Sequence, residues 1–173
     1  MGNLPFLSLV TFLPLLGAGF ILVIRGAPDV VARNARNVAL LTSSATFVLS
    51  LGIWFNFDPS TADFQFEERA LWMPAFNIAY HMGVDGISMP FVLLSTLLIP
   101  ICILASWTSI TSRVKEYMIA FLLMETMLVG TFCALDLILF YLFFEGVLIP
   151  MFLIIGVWGG PRRVYSAFKF FLY

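Results

Sequence analysis

The chain has 173 residues, of which 61% are hydrophobic and 11% are charged, and its formal net charge is −1. This composition is too apolar for a soluble domain of this size and is typical of a protein that crosses a membrane several times. No segment is basic enough to indicate nucleic-acid binding. Cys102 and Cys133 lie within apolar runs and are predicted to pack there as small apolar side chains.

The first two apolar runs predict membrane helices over residues 4–24 and 37–55. No positive charge precedes the first run, so we expect it to be a retained helix and not a cleaved signal peptide. Residues 25–36 contain three arginines and are predicted to form a short loop. In the second helix, the hydroxyl-rich run from Thr42 to Thr46 indicates close helix packing in preference to a binding site.

The polar connection over residues 56–83 is predicted to contain a short strand at residues 63–67, where polar and aromatic residues alternate. Trp72 and Tyr80 are expected at the membrane surface. His81 lies outside the apolar runs, which favours an interfacial residue over a proton carrier. A third helix is predicted from Asp85, as its N-cap, to about residue 107, followed by a hydrophilic turn.

Residues 118–158 form an apolar run interrupted by three carboxylates. The run is about twice the roughly 20 residues that cross a bilayer, so it predicts two helices joined by a tight turn, with Asp136 capping the second. A stop at residues 159–161 and ten further residues predict the start of a sixth helix. Ten residues cannot span, and we therefore expect the chain to be the N-terminal part of a longer protein.

The predicted fold is an all-α polytopic membrane protein with five full membrane helices and the start of a sixth. Basic residues gather in the alternate loops, which the positive-inside rule assigns to the cytoplasmic or matrix side. These residues are Arg25, Arg33, Arg36, Arg113, Lys115, Arg162 and Arg163. The chain is predicted to divide into five segments. Segments 1–36, 37–83 and 84–115 each contain one membrane helix and the loop that follows it, segment 116–160 contains a helical hairpin, and segment 161–173 is the start of the sixth helix.

Glu145 is the strongest candidate for a functional residue, because it is predicted near the middle of the fifth helix. A charged side chain there costs about 2.5–3.5 kcal/mol even on lenient scales, which favours a functional role. Pro150 cannot donate a hydrogen bond to the carbonyl of Gly146, so an acceptor is free one residue from the carboxyl group. We predict that Glu145 relays protons. The alternative is a neutral acid that hydrogen-bonds to a neighbouring helix.

Two further residues are weaker candidates. Glu125 is predicted at the same depth as Glu145 on the partner helix, and either relays protons with it or packs against a polar neighbour. Lys169 either extends to the membrane surface or faces a conduction path. The sequence contains no phosphate-binding loop, metal-ligand spacing, haem ligand pair or nucleophile with a base, which leaves the movement of a small ion as the predicted activity.

Three stretches resemble the antiporter-like subunits of proton-translocating NADH:quinone oxidoreductase, respiratory complex I. They are HMGVDGISMPFVLLSTLLIP (81–100), FYLFFEGVLIPMFLIIGVWGG (140–160) and RRVYSAFKFFLY (162–173). The second stretch is similar to the subunit M branch of the family more than to the L or N branches.

The resemblance implies an antiporter-like helix bundle that translocates protons when quinone is reduced elsewhere in the complex. Glu145 matches a glutamate that is essential in the family and pairs with a lysine on a later helix, which would lie beyond Tyr173. No family role extends to Glu125, and none can be assigned to Lys169. No cofactor is expected in this chain, because FMN, Fe–S clusters and quinone belong to other subunits.

The partners implied are the lipid bilayer and the other membrane subunits of the complex, especially the antiporter-like subunits L and N, with no nucleic acid. The expected location is a bacterial inner membrane or, as the alternative, the mitochondrial inner membrane. Two other functions stay open: a subunit of a multisubunit cation/proton antiporter, and a membrane scaffold that does not conduct.

Overall fold

The protein is a bundle of membrane-spanning helices with one β-hairpin at its end, described by a computed structural model for residues 5–76 and 78–173. Five helices in this part of the chain are long and apolar enough to cross a membrane. The helices are α1 (Phe6–Val23), α2 (Pro28–Asn56), α3 (Ser88–Ala105), α4 (Val114–Cys133), α5 (Leu137–Trp158) and the short α6 (Arg163–Leu172), and the strands are β1 (Gln65–Met73) and β2 (Ile78–Val84). The predicted class of a polytopic helical membrane protein is confirmed.

Helix α4 is the centre of the bundle. It packs against α1, α2, α3 and α5, and it is the most buried of the five long helices. Helix α5 is apolar on all sides and largely exposed, and α6 packs against it. Because the helices alternate in direction, the hairpin and the turn between α4 and α5 lie at one end of the bundle, the hairpin end. The loops that follow α1, α3 and α5 lie at the other, the basic end.

The predicted loop over residues 25–36 is wrong, because α2 begins at Pro28. Proline is favoured in the first turn of a helix, where its missing N–H has no partner to lose, and Asp29 beside it suits the positive end of the helix dipole. Arg33 and Arg36 therefore lie on a helical extension, whereas Arg25 precedes the helix. At 29 residues, α2 is about 43 Å long, against a hydrocarbon thickness of about 30 Å.

Glycines fix how the helices pack. A Cβ atom added to Gly17 would lie 2.5 Å from Oγ1 of Thr42, so α1 and α2 touch where α1 has no side chain. This contact confirms the close packing predicted for residues 42–46. In the same way, a Cβ on Gly130 of α4 would lie 2.5 Å from the ring of Phe143 in α5.

The strand predicted at residues 63–67 is only the start of an antiparallel hairpin of β1 and β2. The pairing is irregular on both sides of the Glu68–Leu71 segment, and Phe66 has a positive φ of 55°. The turn between α4 and α5 joins this sheet, because Leu135 donates a backbone hydrogen bond of 2.9 Å to the carbonyl of His81. His81 itself contacts Glu67 at 2.9 Å on the exposed surface of the hairpin.

Glu68 of β1 caps the N-terminus of α1. Its carboxylate accepts hydrogen bonds from the backbone N–H groups of Leu7, at 2.8 Å, and Ser8, at 3.2 Å, and from the hydroxyl of Ser8. That hydroxyl also lies 2.6 Å from the phenol oxygen of Tyr80 in β2. The first N–H groups of a helix have no partner within the helix, so a carboxylate from a distant strand satisfies them and fixes the hairpin to α1.

We expect Glu68→Ala to loosen the hairpin, because loss of a helix cap costs about 0.5–2 kcal/mol. Protease digestion of the full-length protein in membranes should then cleave residues 56–84 about fivefold faster than in the wild type. Glu67→Ala is the matched control, since the Glu67 carboxylate bonds to the partly exposed His81 and not to α1. Equal cleavage rates in the two variants would show that the cap does not hold the hairpin.

Asp136 is the N-cap of α5, as predicted. It accepts hydrogen bonds from the N–H groups of Ile138 at 2.9 Å and Leu139 at 3.2 Å, and from Ala79 of β2 at 3.3 Å. The bonds from Leu139 and Ala79 lower the pKa of this carboxyl below its usual value. At the start of α3, Asp85 likewise accepts from Ile87 and Ser88, and the bond from Ser88 lowers its pKa.

Basic and aromatic side chains close the basic end. The Lys115 ammonium donates to the carbonyls of Leu22 and Ile24 at the end of α1, at 2.9 and 3.0 Å. A cation at a helix C-terminus complements the free carbonyls and the helix dipole. The indole N–H of Trp158, the last residue of α5, donates to the carbonyl of Ser112 at 2.9 Å. Both ends of α5 are therefore tied to other parts of the bundle.

Candidate functional site

Glu145 lies on α5, eight residues after the first residue of that helix, or about 12 Å along its axis. Its side chain is partly buried. Phe143 and Gly146 on either side of it pack against α4, at Gly130 and Met127 respectively. These two contacts fix the rotation of α5. Glu145 is about 200° round the helix from Phe143, so its side chain points away from α4, on the side where Phe152 and Gly156 meet α6. Pro150 is buried one turn further on, and leaves the carbonyl of Gly146 without its helical donor.

Glu125 lies on α4 and is fully buried, with 0% of its surface exposed. Neither carboxyl oxygen has a hydrogen-bond partner among the described residues. Leaving a buried polar group unpaired costs about 1–3 kcal/mol, and more if the group is charged. The surroundings of Glu125 therefore differ from those of Glu145, although the sequence places the two acids symmetrically about the same turn.

The two carboxyl groups do not face each other. The contacts of Gly130 with Phe143 and of Met127 with Gly146 set the register of the two helices, in which Leu128 lies at the level of Glu145. Glu125 is three residues before Leu128 and so lies about 4.5 Å nearer the basic end than Glu145. The prediction that the two acids lie at equal depth is therefore wrong. Glu125 is two residues from Met127, or about 200° round the helix at about 100° per residue. Since Met127 faces α5, Glu125 points to the opposite side, into the region that α4 shares with α1, α2 and α3.

Lys169 is distant from both acids. Helix α6 packs on α5 through Ala167, which lies opposite Gly156, and through ring contacts of Phe168 and Phe171 with Phe152. This register puts Lys169 at the level of residue 154, about 13 Å from Glu145 along the axis. Its side chain is exposed, with Nζ 5.9 Å from the ring centroid of Tyr173.

Cys102 and Cys133 are free cysteines, in agreement with the prediction that they pack as small apolar residues. Among residues 5–76 and 78–173, no group of three or more His, Cys, Asp or Glu side chains is placed to hold a metal ion. The chemistry that the described residues offer is therefore that of single carboxyl groups and hydroxyls in an apolar bundle.

The sequence prediction did not link the buried hydroxyl groups of α1 to α4 with Glu125. Thr11 of α1 and Thr126 of α4 are both fully buried, and their hydroxyl oxygens have no partner among the described residues. Ser50 of α2 and Thr96 of α3 hydrogen-bond to each other at 2.8 Å. A signal was present in the sequence, because each of the first four helices carries Ser or Thr near its middle.

Two family models match the chain. The first, described as NADH-ubiquinone oxidoreductase chain 4, amino terminus, matches residues 30–135. The second, described as NADH:quinone oxidoreductase/Mrp antiporter, TM, matches residues 134–173. Together they cover all but the first 29 residues, and the first alone covers more than half of the chain.

Proteins of known name show the same relationship. The chain is 52% identical over 168 residues to NADH-quinone oxidoreductase subunit M of Rhodobacter capsulatus, covering 96% of this chain and 32% of that protein. It is 51% identical over 168 residues to NADH-ubiquinone oxidoreductase chain 4 of Marchantia polymorpha, covering 96% of this chain and 33% of that protein. The chain thus spans about a third of the length of these curated relatives.

The fold also matches a solved structure, described as respiratory complex I from Thermus thermophilus with bound NADH. The TM-score is 0.79 at 26% sequence identity, and the match covers 96% of this chain and 32% of the matching chain. These findings confirm the resemblance found in residues 81–100, 140–160 and 162–173. The chain therefore belongs to the NADH-ubiquinone oxidoreductase chain 4 family, whose bacterial relatives are named NADH-quinone oxidoreductase subunit M.

Proposed function

We propose that this chain takes part in proton translocation across the membrane within an NADH:quinone oxidoreductase, with Glu145 as the group that takes up and releases the proton. The observation that carries the proposal is the position of Glu145: a partly buried acid within a membrane helix, beside a carbonyl freed by Pro150. An ionisable residue at this depth is costly, and such residues commonly mark ion pathways.

Protonation and ionisation of Glu145 provide a way to couple the membrane potential to a distant reaction. The protonated acid is uncharged and is compatible with the apolar surroundings of α5, whereas the carboxylate needs water or a positive partner. Moving one charge across the membrane is worth about 2.3 kcal/mol per 100 mV. A change in the surroundings of Glu145, driven by reduction of quinone elsewhere, would therefore be able to drive proton release against the potential.

Glu145 supports a relay better than the other two candidates do. Glu125 faces away from α5, which favours the alternative that it packs among polar neighbours. Lys169 is exposed on α6, and its role depends on what covers that surface in the assembled protein.

The rest of the proposal concerns the assembly. The chemistry of electron transfer, with FMN, Fe–S clusters and quinone, would reside in other subunits. The partners would be other membrane subunits, in particular the antiporter-like subunits L and N. The membrane would be a bacterial inner membrane, with the mitochondrial inner membrane as the alternative, since relatives are named from both bacteria and plants.

The description of the second matching family includes the Mrp antiporter, and this observation keeps a cation/proton antiporter as the second candidate function. The two are distinguished in sealed vesicles that contain the assembled complex with the full-length protein. We expect NADH oxidation to acidify the lumen in buffer without added Na⁺. Acidification only after a cation gradient is imposed, with none on adding NADH, would favour the antiporter. Electron transfer without any proton movement through this subunit would favour a scaffold.

A further inference from the structure

The buried residues of α1 to α4 form two apolar clusters separated by a polar layer. The inner cluster, towards the basic end, includes Ala18, Ala39, Ile99 and Leu122, and the outer cluster includes Val10, Ile53, Val92 and Val129. Between them in each helix lie all the buried polar residues of these four helices, which we call the polar layer: Thr11, Ser43, Thr46, Ser50, Ser95, Thr96, Glu125 and Thr126. Four helices therefore change from apolar to polar at the same depth.

Five of the eight residues of this layer have hydrogen-bond partners, and three do not. Ser43, Thr46 and Ser95 donate to carbonyls of their own helices, and Ser50 pairs with Thr96. The unpaired atoms belong to α1 and α4, two helices that pack against each other. They are both carboxyl oxygens of Glu125 and the hydroxyl oxygens of Thr11 and Thr126.

Two prolines add further acceptors to the layer. Pro14 in α1 has no N–H to donate to the carbonyl of Val10, which is next to Thr11, and Pro100 in α3 leaves the carbonyl of Thr96 free in the same way. Backbone carbonyls freed in membrane helices are satisfied by neighbouring side chains or by ordered water. The layer therefore combines unpaired donors and acceptors from α1, α3 and α4 in a region closed above and below by apolar side chains.

We propose that Glu125, Thr11 and Thr126 form an internal water-binding site, in which the Glu125 carboxyl is uncharged and donates a hydrogen bond. A buried water makes about three hydrogen bonds to groups that are otherwise unsatisfied, and the packed helices α1 and α4 provide four such atoms in this layer. The ligand is water and not a metal ion, because a single uncharged acid and two hydroxyls provide no compensating charge for a cation. The site is distinct from Glu145, which lies on the other side of α4.

The charges around the site support the uncharged form. Helices α1 and α3 contain no charged residue. The charges of α2 are Asp29, Arg33 and Arg36, all ten or more residues before Thr46 and so about 15 Å or more towards the basic end. On α4 itself, Lys115 and Glu116 lie nine or more residues away, and on α5 Glu145 faces a different region. Among the described residues of α1 to α4, every positive side chain lies about 15 Å or more towards the basic end, so none of them would be near a carboxylate at position 125.

Infrared spectroscopy of the assembled complex with the full-length protein tests the site directly. The difference between the wild type and Glu125→Gln should contain the C=O band of a protonated carboxyl group, and this band should shift after transfer to D₂O because water reaches the site. An absent band would show that Glu125 is ionised, and a band that does not shift would show that the site is dry. Either result overturns the proposal.

Thermal stability gives a second, independent test. If water occupies the site, Glu125→Leu removes a hydrogen-bond partner of the water and leaves the two threonine hydroxyls without enough partners. The midpoint temperature at which the subunit is lost from the complex should then fall by about 3 °C or more. Glu125→Gln should stay near the wild type. Combining Glu125→Leu with Thr11→Val and Thr126→Val should recover most of the loss, since no polar group then remains. If the acid sits dry, Glu125→Leu alone should raise the midpoint. Met124→Leu is the control for a neighbouring apolar change.

Discussion

Replacing Glu145 with Gln is expected to leave the complex assembled while proton pumping falls by about tenfold or more. The amide has nearly the same size and hydrogen-bonding reach as the protonated acid, so the packing of Phe143 and Gly146 against α4 should be retained. What is lost is the ability to hold and release a proton, a contribution that is commonly worth about 10²–10⁴ in enzymes that transfer protons. Electron transfer that is coupled to pumping should fall with it.

The measurement is lumen acidification per NADH oxidised in sealed vesicles. Glu145→Asp keeps the acid but withdraws it by one methylene group, so partial pumping is expected. Glu116→Gln, the same change at an exposed acid in the first turn of α4, is the control and should pump normally. Normal pumping by Glu145→Gln in an assembled complex would show that Glu145 is not the relay.

The second large effect is expected at the tightest contact between α4 and α5. Gly130→Ala places a methyl group within 2.6 Å of three ring atoms of Phe143, whose side chain is buried and has no flexible end that can move aside. Overpacking of this kind costs about 1–3 kcal/mol. Because Phe143 is two residues from Glu145, a displaced α5 also moves the carboxyl group. We therefore expect lower thermal stability of the subunit together with weaker coupling of pumping to NADH oxidation.

A compensating change makes this prediction specific. Phe143→Leu removes the ring atoms that the new methyl group would meet. The double variant Gly130→Ala with Phe143→Leu should therefore lose less thermal stability than the sum of the losses in the two single variants. Gly19→Ala in α1 is the matched control, because a Cβ there meets no atom within 4 Å. If Gly130→Ala behaves like Gly19→Ala, the two helices are not packed as closely as described.

The sequence predicted those features that depend on residues close together in the chain. The apolar runs predicted the five long helices. Asp136 was identified as the cap of α5 because a short acidic side chain at a break between two apolar runs can accept hydrogen bonds from the first N–H groups of the second helix. The segment at residues 25–36 was predicted wrongly because its arginines suggested a loop. A helix can extend beyond the hydrocarbon and carry such charges, and Pro28 marks where it starts.

The features that the sequence did not predict depend on the rotation of helices and on distant contacts. Helix α5 is apolar on all sides, so no periodic pattern indicates which face meets α4, and the distance of Glu125 and Glu145 from their common turn gave no information on which way they point. The cap of α1 by Glu68 joins residues about 60 positions apart. Only the start of the hairpin was predicted, because β1 is mostly exposed, β2 is largely buried, and their pairing is irregular, so neither strand shows a clear alternation.

The fastening of α5 at both extremities limits the kind of motion available to the carboxyl it carries. Asp136 attaches one extremity to Ala79, and Trp158 attaches the other to Ser112. Sliding or rotating α5 as a whole would break both of these hydrogen bonds at once. Glu145 is therefore expected to move by bending of the middle of α5. Pro150 has already removed one backbone hydrogen bond there. Such a helix would bend between two fixed ends and would not slide along its axis.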